Sequence, residues 1–330
     1  MAVLLSEIIN SLNFMIFIFF STPFVITLVI MPYFIKKFKK KRFVAKDMYK
    51  PELPEVATNG GIIILMVSIL SLSIISLFYC NYIDSANYII ITVVTLFALF
   101  GILDDMINIG RVAKLIVLYY CSYSLIACTT VTSIYTPFYG FIDFGILYVQ
   151  LILPFYILVV ANLMNMHSGF NGLAPGLSLI ILIALLIKTF LYGQVEPVLF
   201  IICLTGSLAA YWFFENYPAK IFWGNIGALA TGAAIGSTIV IEGFLFSGFI
   251  MLIPHIINFL LFIYLIIDSK KNPPLKKFGK VRSDGTIEVP NRLTLKWILP
   301  YYIPLTEKQA TNIMYIVTII FCIIGLVIPG

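Results

Sequence analysis

Charged side chains are scarce in this chain, 11% of its 330 residues, and polar stretches long enough to fold on their own are missing. Soluble domains carry charge on roughly a quarter of their residues, so a soluble globular protein is excluded. Histidine occurs only twice. The five cysteines, Cys80, Cys121, Cys128, Cys203 and Cys322, are scattered with no C-x-x-C spacing. That argues against zinc or a disulfide framework, and they read as small buried hydrophobes. Internal repeats of the roughly 20-to-50-residue period of solenoids are absent, as is an inverted-repeat signal. The first apolar run, residues 11–35, lacks a basic leader and is followed by lysines rather than a small-residue cleavage site. It is expected to stay in the mature protein.

What the chain has in abundance is hydrophobic sequence, 61% of all residues, in runs near the ~20 residues that cross a bilayer as a helix. The expected architecture is an all-α polytopic integral membrane protein, one domain over residues 1–330. Ten transmembrane helices are expected, centred near residues 24, 70, 95, 125, 154, 183, 204, 234, 256 and 319. Assigning the intervening loops alternately to two sides places 20 of the 21 basic residues on one of them. Only Lys188, late in the sixth span, falls elsewhere, and it is expected to snorkel outward. The positive-inside rule makes the basic side cytoplasmic and the location the cell membrane.

The same alternation gathers the polar motifs, in loops about 36–60, 104–114, 162–174, 215–225 and 268–309. "KDMYKPELPEVATNGG" holds Asp47 and Lys50. "GILDDMINIGRVAK" holds Asp104, Asp105, Asn108 and Lys114. "NLMNMHSGFNGLAPG" holds Asn162, Asn165, Asn171 and Gly172, and "FWGNIGALATG" holds Asn225. The long basic segment contributes Lys276 and Arg282. All five loops fall on the cytoplasmic side, whereas opposite loops such as "TPFYGFIDFG" carry little chemistry. Carboxylates among asparagine, glycine and lysine are the materials of a Mg²⁺ and phosphate site.

Plainer readings compete. Asp104 and Asp105 could be a solvated helix end, although acids there oppose the helix macrodipole. The 162–176 element could be a glycine-rich turn, although three asparagines are costly beside membrane helices. For Gly227, Gly232 and Gly236, close helix packing is the better account. The basic run from Lys36 to Arg42 reads as attracting anionic headgroups and fixing topology. An ion-coupled transporter is the rival class; it would place charge at the midplane and use both faces. One-sided chemistry favours a surface enzyme.

These motifs resemble the polyprenyl-phosphate N-acetylhexosamine-1-phosphate transferases, glycosyltransferase family 4. The resemblance covers nearly the whole chain: an Asp-Asp closing the third span, a lysine nine residues on, N-x-x-N-x-x-x-G-x-N-G-L after the fifth, and a glycine-rich element before the eighth. "HSGFNGL", with Ser168 before Gly169, is similar to the dolichyl-phosphate branch, as is the basic loop ending in β-like "TIEV". The bacterial wall enzyme's histidine triplet is absent.

The resemblance implies transfer of an N-acetylhexosamine-1-phosphate, most simply from UDP-N-acetylglucosamine, to a polyprenyl or dolichyl phosphate, with release of UMP. A wall-precursor transferase using another UDP-linked donor is the alternative within the family. The implied cofactor is Mg²⁺, with Mn²⁺ as an alternative, on Asn165 and Asn225; at the latter place the family usually has aspartate. Asp104, Asp105 and Lys114 are implied to be catalytic. Asp47, Lys50, Asn108, Asn162, Asn171, Gly172, Lys276 and Arg282 are implied to bind substrate. The partners are then a UDP-sugar, the phosphorylated lipid and the membrane, with no nucleic acid; a homodimer is left open. Neither histidine is expected to be a catalyst: His255, inside the ninth span, is expected to be a packed polar residue and His167 to line the site.

Overall fold

Uninterrupted runs of Ile, Leu, Val and Phe bury their backbone polarity by forming helices, the only open-chain structure that satisfies every N–H and C=O in lipid. A computed structural model describes residues 12–107, 109–129, 131–269 and 278–329; the predicted site residues Asn108 and Lys276 lie outside them. In chain order the helices are α1 (Leu12–Lys40), α2 (Gly61–Ser76), α3 (Ala86–Ile107), α4 (Arg111–Cys121), α5 (Leu153–Met166) and α6 (Leu173–Tyr192). They continue with α7 (Leu199–Glu215), α8 (Gly224–Ile241), α9 (Leu245–Met251), α10 (Ile253–Ser269), α11 (Leu295–Tyr302) and α12 (Glu307–Val327). A 3₁₀ turn prolongs α4 through Cys128, and a π turn at Tyr148–Ile152 leads into α5.

Seven of the described helices are long and apolar enough to cross a membrane, eight if α9 and α10, bent by 64°, form one broken span. Two shorter apolar helices, Gly61–Ser76 and Val112–Cys128, stand where the second and fourth crossings were expected. The chain is thus a mostly helical, multi-pass membrane protein, and fewer than the ten expected helices have full spanning length. It also departs from a purely helical class. Three antiparallel hairpins occupy loops: β1 (Val44–Lys46) with β2 (Glu55–Ala57), β3 (Ser133–Thr136) with β4 (Gly140–Asp143), and β5 (Lys280–Val281) with β6 (Ile287–Glu288).

Helix α8 is the axis of the bundle, packed against α3 and α5 and touching α2 and α6. Its small residues permit this. A Cβ on Gly232 would lie 2.6 Å from the Ala161 Cα of α5, and one on Gly236 would lie 3.0 Å from the Ile157 Cα. On the opposite side a Cβ on Gly101 of α3 would come within 2.8 Å of the Ile226 N. Backbone-to-backbone approach of this kind substitutes dispersion contact for the hydrophobic drive that lipid does not supply. Its consequence is positional: the end of α3, with Asp104 and Asp105, is pressed onto the beginning of α8, with Asn225.

Polar side chains link other helices. Thr27 of α1 and Ser207 of α7 share a 2.8 Å hydrogen bond, and Asn87 of α3 donates to the Glu196 carbonyl at 2.6 Å while accepting from the Phe200 N–H at 2.8 Å. Lys188 corrects an expectation. It is buried rather than outward-pointing, and its ammonium donates to the Ile328 carbonyl at 2.6 Å and the Gly325 carbonyl at 3.4 Å. The last carbonyls of α12 lack intrahelical donors, and a cation there also complements the macrodipole.

A second, smaller core lies at the end of the molecule that carries the polar loops. Tyr49, Phe170, Leu173, Leu177, Ile287 and Trp297 pack together in it. Tyr49 and Phe170 meet edge to face at 4.8 Å, and the Trp297 indole N–H donates to the Tyr49 hydroxyl at 3.2 Å. This core anchors the β1–β2 loop, the element after α5 and the β5–β6 hairpin to one another.

Candidate active site

The twin acids sit on the last turn of α3, and the residues that meet them come from two other elements. Lys114 of α4 places its ammonium 3.0 Å from Asp104 Oδ2. Asn225, in the first turn of α8, donates its side-chain N–H to Asp105 Oδ1 at 2.7 Å and to Asp104 Oδ2 at 3.4 Å. Its backbone N–H donates to Asp105 Oδ2 at 3.2 Å, so Asp105 faces a helix N-terminus. Gly224, at φ +73°, makes this turn; a Cβ there would lie 3.3 Å from Asp105 Oδ2. Two carboxylates offer about eight lone-pair sites, and these four contacts leave acceptor capacity over. Asp105 is exposed.

An apolar cavity of about 890 Å³ begins at this cluster. Lys114, Asn162 and Asn165 provide its polar end, and Leu115, Tyr120, Phe155, Phe259 and Ile263 are among its walls. Asn165 therefore shares a wall with the lysine that pairs Asp104. Asn162 bonds back to the Leu158 carbonyl at 2.8 Å, and no described residue holds the side chain of Asn165.

Asp47, Lys50 and Asn171 form a different cluster. The Lys50 ammonium lies 3.3 Å from Asp47 Oδ2, 3.1 Å from Asn171 Oδ1 and 2.5 Å from Glu307 Oε2. Asn171 donates its side-chain N–H to Asp47 Oδ2 at 3.1 Å and its backbone N–H to Glu307 Oε1 at 2.6 Å, and accepts from the Ala219 N–H at 2.9 Å. Gly172 follows at φ +71°, opening α6, and the Tyr315 hydroxyl donates to its carbonyl at 2.6 Å. Over this network lies a pocket of about 460 Å³ lined by Lys39, Asp47, Lys50, Glu55, Pro218 and Ala219. Lys50 is thus paired with two carboxylates in this structure.

A backbone bracket joins the two clusters. The Phe222 N–H donates to the Ala57 carbonyl at 2.8 Å, while the Gly60 and Gly61 N–H groups donate to the Phe222 and Trp223 carbonyls at 2.9 and 3.0 Å. The Trp223 N–H donates to Glu215 Oε2 at 2.9 Å, and the Tyr211 hydroxyl donates to the same oxygen at 2.5 Å. The start of α8, and with it Asn225, is held on both sides.

Arg282 stands apart: on the β5–β6 hairpin its one ion pair among the described residues is with Glu288, at 4.0 Å, and both are exposed. His167 and His255 are buried with ring centroids 4.7 Å apart, and none of their ring nitrogens has a partner among the described residues. Nearby, Lys296 donates to the Ser168 carbonyl and lies over the Phe170 ring, so Gly169, at φ +111°, leaves the room a Cβ would take. Burial pulls the Lys296 ammonium down to about 8.

Two carboxylates missing from the sequence reading, Glu215 and Glu307, prove to organise the site. Glu307 had a local signal, the Thr306-x-x-Gln309 capping box that it follows into α12. Glu215 had only its position as a lone acid closing an apolar span. Among the described residues no three His, Cys, Asp or Glu side chains converge as a metal cluster. An ion at the twin acids would therefore rest on two carboxylates and amide oxygens.

A model of glycosyl transferase family 4 matches residues 86–243, the segment from α3 through α8. A protein of Saccharolobus solfataricus, provisionally named a UDP-N-acetylglucosamine–dolichyl-phosphate N-acetylglucosaminephosphotransferase, is 33% identical over 92% of this chain and 94% of its own length. A protein of the same provisional name from Sulfolobus acidocaldarius is 30% identical over 82% of this chain and 84% of its own. The phospho-N-acetylmuramoyl-pentapeptide-transferase of Borrelia turicatae is 30% identical over 66% of this chain and 71% of its own.

Proposed function

Because the chain belongs to glycosyl transferase family 4, we propose that it transfers N-acetylglucosamine-1-phosphate from a UDP-linked donor to a polyprenyl or dolichyl phosphate, releasing UMP. The observation that carries this reading is the contact of Asp104, Asp105, Lys114 and Asn225 at the polar end of an apolar groove. A long isoprenoid needs such a groove, and its phosphate needs a cation and oriented acceptors at the groove's end. The basic loops bordering this end support a cytoplasmic assignment, and seven helices of spanning length, one broken pair and two shorter apolar helices support the ten-span reading.

In the reaction an oxygen of the lipid phosphate attacks the sugar-bearing phosphorus of the donor, and the bond from that phosphorus to the oxygen of UMP breaks. A phosphate monoester's second pKa near 6 makes it a competent nucleophile at neutral pH. Asp105, exposed and held by Asn225, orients that phosphate and takes any remaining proton. Lys114 lies beside Asp104, where it balances charge on the incoming oxygens. Positioning contributes more than proton removal here.

Mg²⁺, or Mn²⁺ in its place, fits the donor set, since hard oxygen ligands from one or two carboxylates plus substrate phosphates are what it takes. Asp104, Asp105 and the amide oxygens of Asn165 and Asn225 would hold it. When bound, it supplies the positive charge that lets a phosphate and a pyrophosphate occupy one site. The donor's uncharged nucleoside belongs in the pocket above Asp47 and Asn171, where Lys50 is already engaged by two carboxylates.

The test is purified protein in detergent with UDP-N-acetylglucosamine, dolichyl phosphate and Mg²⁺. UMP release that Asp105→Asn abolishes supports the transferase. Flux of an unmodified solute without UMP release overturns it in favour of a transporter. Exchanging the donor for a UDP-muramyl compound separates the wall-precursor reading, which the 30% identity to the Borrelia turicatae enzyme keeps in view.

A further inference from the structure

We propose that Glu307 is a positioning residue for the donor's nucleotide half, acting through Lys50 and Asn171; the inference rests on the transferase reading above. Glu307 opens α12, yet it does not cap the helix. Thr306 and Gln309 do that reciprocally, the Thr306 hydroxyl accepting from the Gln309 N–H and the Gln309 side chain from the Thr306 N–H. The Glu307 carboxylate turns away and is 3% exposed. Burying an ionised carboxylate is costly unless it is paired and fully hydrogen-bonded, and this one is held by Lys50 on one oxygen and the Asn171 N–H on the other.

Its two bonds fix different things. The bond to the Asn171 N–H sets the backbone of the element after α5, just before Gly172 starts α6. The bond to Lys50 aims that ammonium at Asn171 Oδ1, which also accepts from the Ala219 N–H. With Oδ1 engaged, the Asn171 side-chain N–H is turned onto Asp47. One carboxylate thereby orients three loops, at residues 47–50, 168–172 and 216–219. Asp47, Lys50 and Ala219 are the floor of the pocket of about 460 Å³. None of these contacts reaches Asp104, Asp105 or Lys114. Glu307 should therefore govern how the donor is held and leave the reacting phosphates alone.

Glu307→Gln keeps an acceptor for the Asn171 N–H and removes the charge facing Lys50. Steady-state kinetics with each substrate varied separately should show the KM for UDP-N-acetylglucosamine raised about tenfold, the scale of one charge-assisted hydrogen bond. The kcat and the KM for dolichyl phosphate should stay within about twofold. Binding of UMP alone, measured by calorimetry, should weaken by the same factor. Thr306→Ala, which weakens the helix cap only, should lower the melting temperature without moving the donor KM.

If Glu307→Gln shifts the melting temperature but neither the donor KM nor UMP affinity, the residue is structural and the inference fails. Equal losses in kcat and in both KM values overturn it as well. Should Glu307→Gln not fold, Lys50→Met with Glu307→Met removes the buried pair together, and an unchanged UMP affinity in that protein also refutes the proposal. Failure of the underlying reading looks different: the unaltered protein would then release no UMP at all.

Discussion

The two polar clusters at one end of this molecule are built from the same parts. Each holds two carboxylates, one lysine and one asparagine: Asp104, Asp105, Lys114 and Asn225 in one, Asp47, Glu307, Lys50 and Asn171 in the other. They differ in saturation. In the second cluster Asp47 and Glu307 are 4% and 3% exposed, and the lysine, both acids and the amide are all engaged with one another or with backbone. In the first, Asp105 is exposed and acceptor capacity is left over. Identical composition therefore serves opposite ends. A closed network specifies geometry, whereas an open one keeps a demand that only a ligand can meet.

The largest effect expected from breaking this contrast is at the open cluster. Asp105→Asn should lower the rate of UMP release by about a hundredfold or more while the melting temperature stays put, since no buried partner is orphaned. The mirror experiment is Lys50→Met in the closed cluster. It leaves Asp47 and Glu307 facing each other without a cation and should destabilise the fold by about 3 kcal/mol, read as a drop in melting temperature.

Asn225→Asp sharpens the comparison from the other side. Its amide now donates to both aspartates; a third carboxylate would repel them until a divalent cation is supplied. The variant should melt lower than the parent in a chelator and recover with Mg²⁺, and the Mg²⁺ concentration for half activity should fall about tenfold. A variant insensitive to Mg²⁺ would remove Asn225 from the ion's surroundings.

A pH effect concerns Lys296. Its folded-state pKa of about 8 lies below that of an exposed lysine. Between those values the unfolded chain holds a proton the folded chain has released, so stability should rise with pH from about 8 to about 10. Below that window the penalty for the charged form is complete and constant. Melting curves across the range should show the rise in the parent and lack it in Lys296→Met.

How much of this was legible beforehand follows from sequence distance. Helices and the gathering of five polar loops at one end could be read, because hydropathy and the lopsided basic residues are local or additive signals. The pairing of Asp104 with Lys114 was close enough to suspect. Glu307 was not, because its partner Lys50 lies 257 residues away and the capping box beside it marks a helix start without saying that this acid is buried. Lys188 misled for the same reason: its acceptors are the final carbonyls of another helix, and an isolated lysine in an apolar run looks like any snorkelling cation. Asn165, implied to be a metal ligand, lines the polar end of the groove, and Arg282, implied to clamp phosphates or sugar hydroxyls, lies exposed on the β5–β6 hairpin.

The groove that starts at Lys114 has further meaning. Its walls include Leu115, Tyr120, Phe155 and Ile263, which are exposed on the perimeter where the bilayer lies, so an isoprenoid could slide in sideways without entering water. Encounter with the acceptor then becomes a two-dimensional search. Turnover would follow the mole fraction of carrier in the surrounding leaflet rather than its amount per litre, and adding detergent at constant lipid would slow the enzyme by dilution alone.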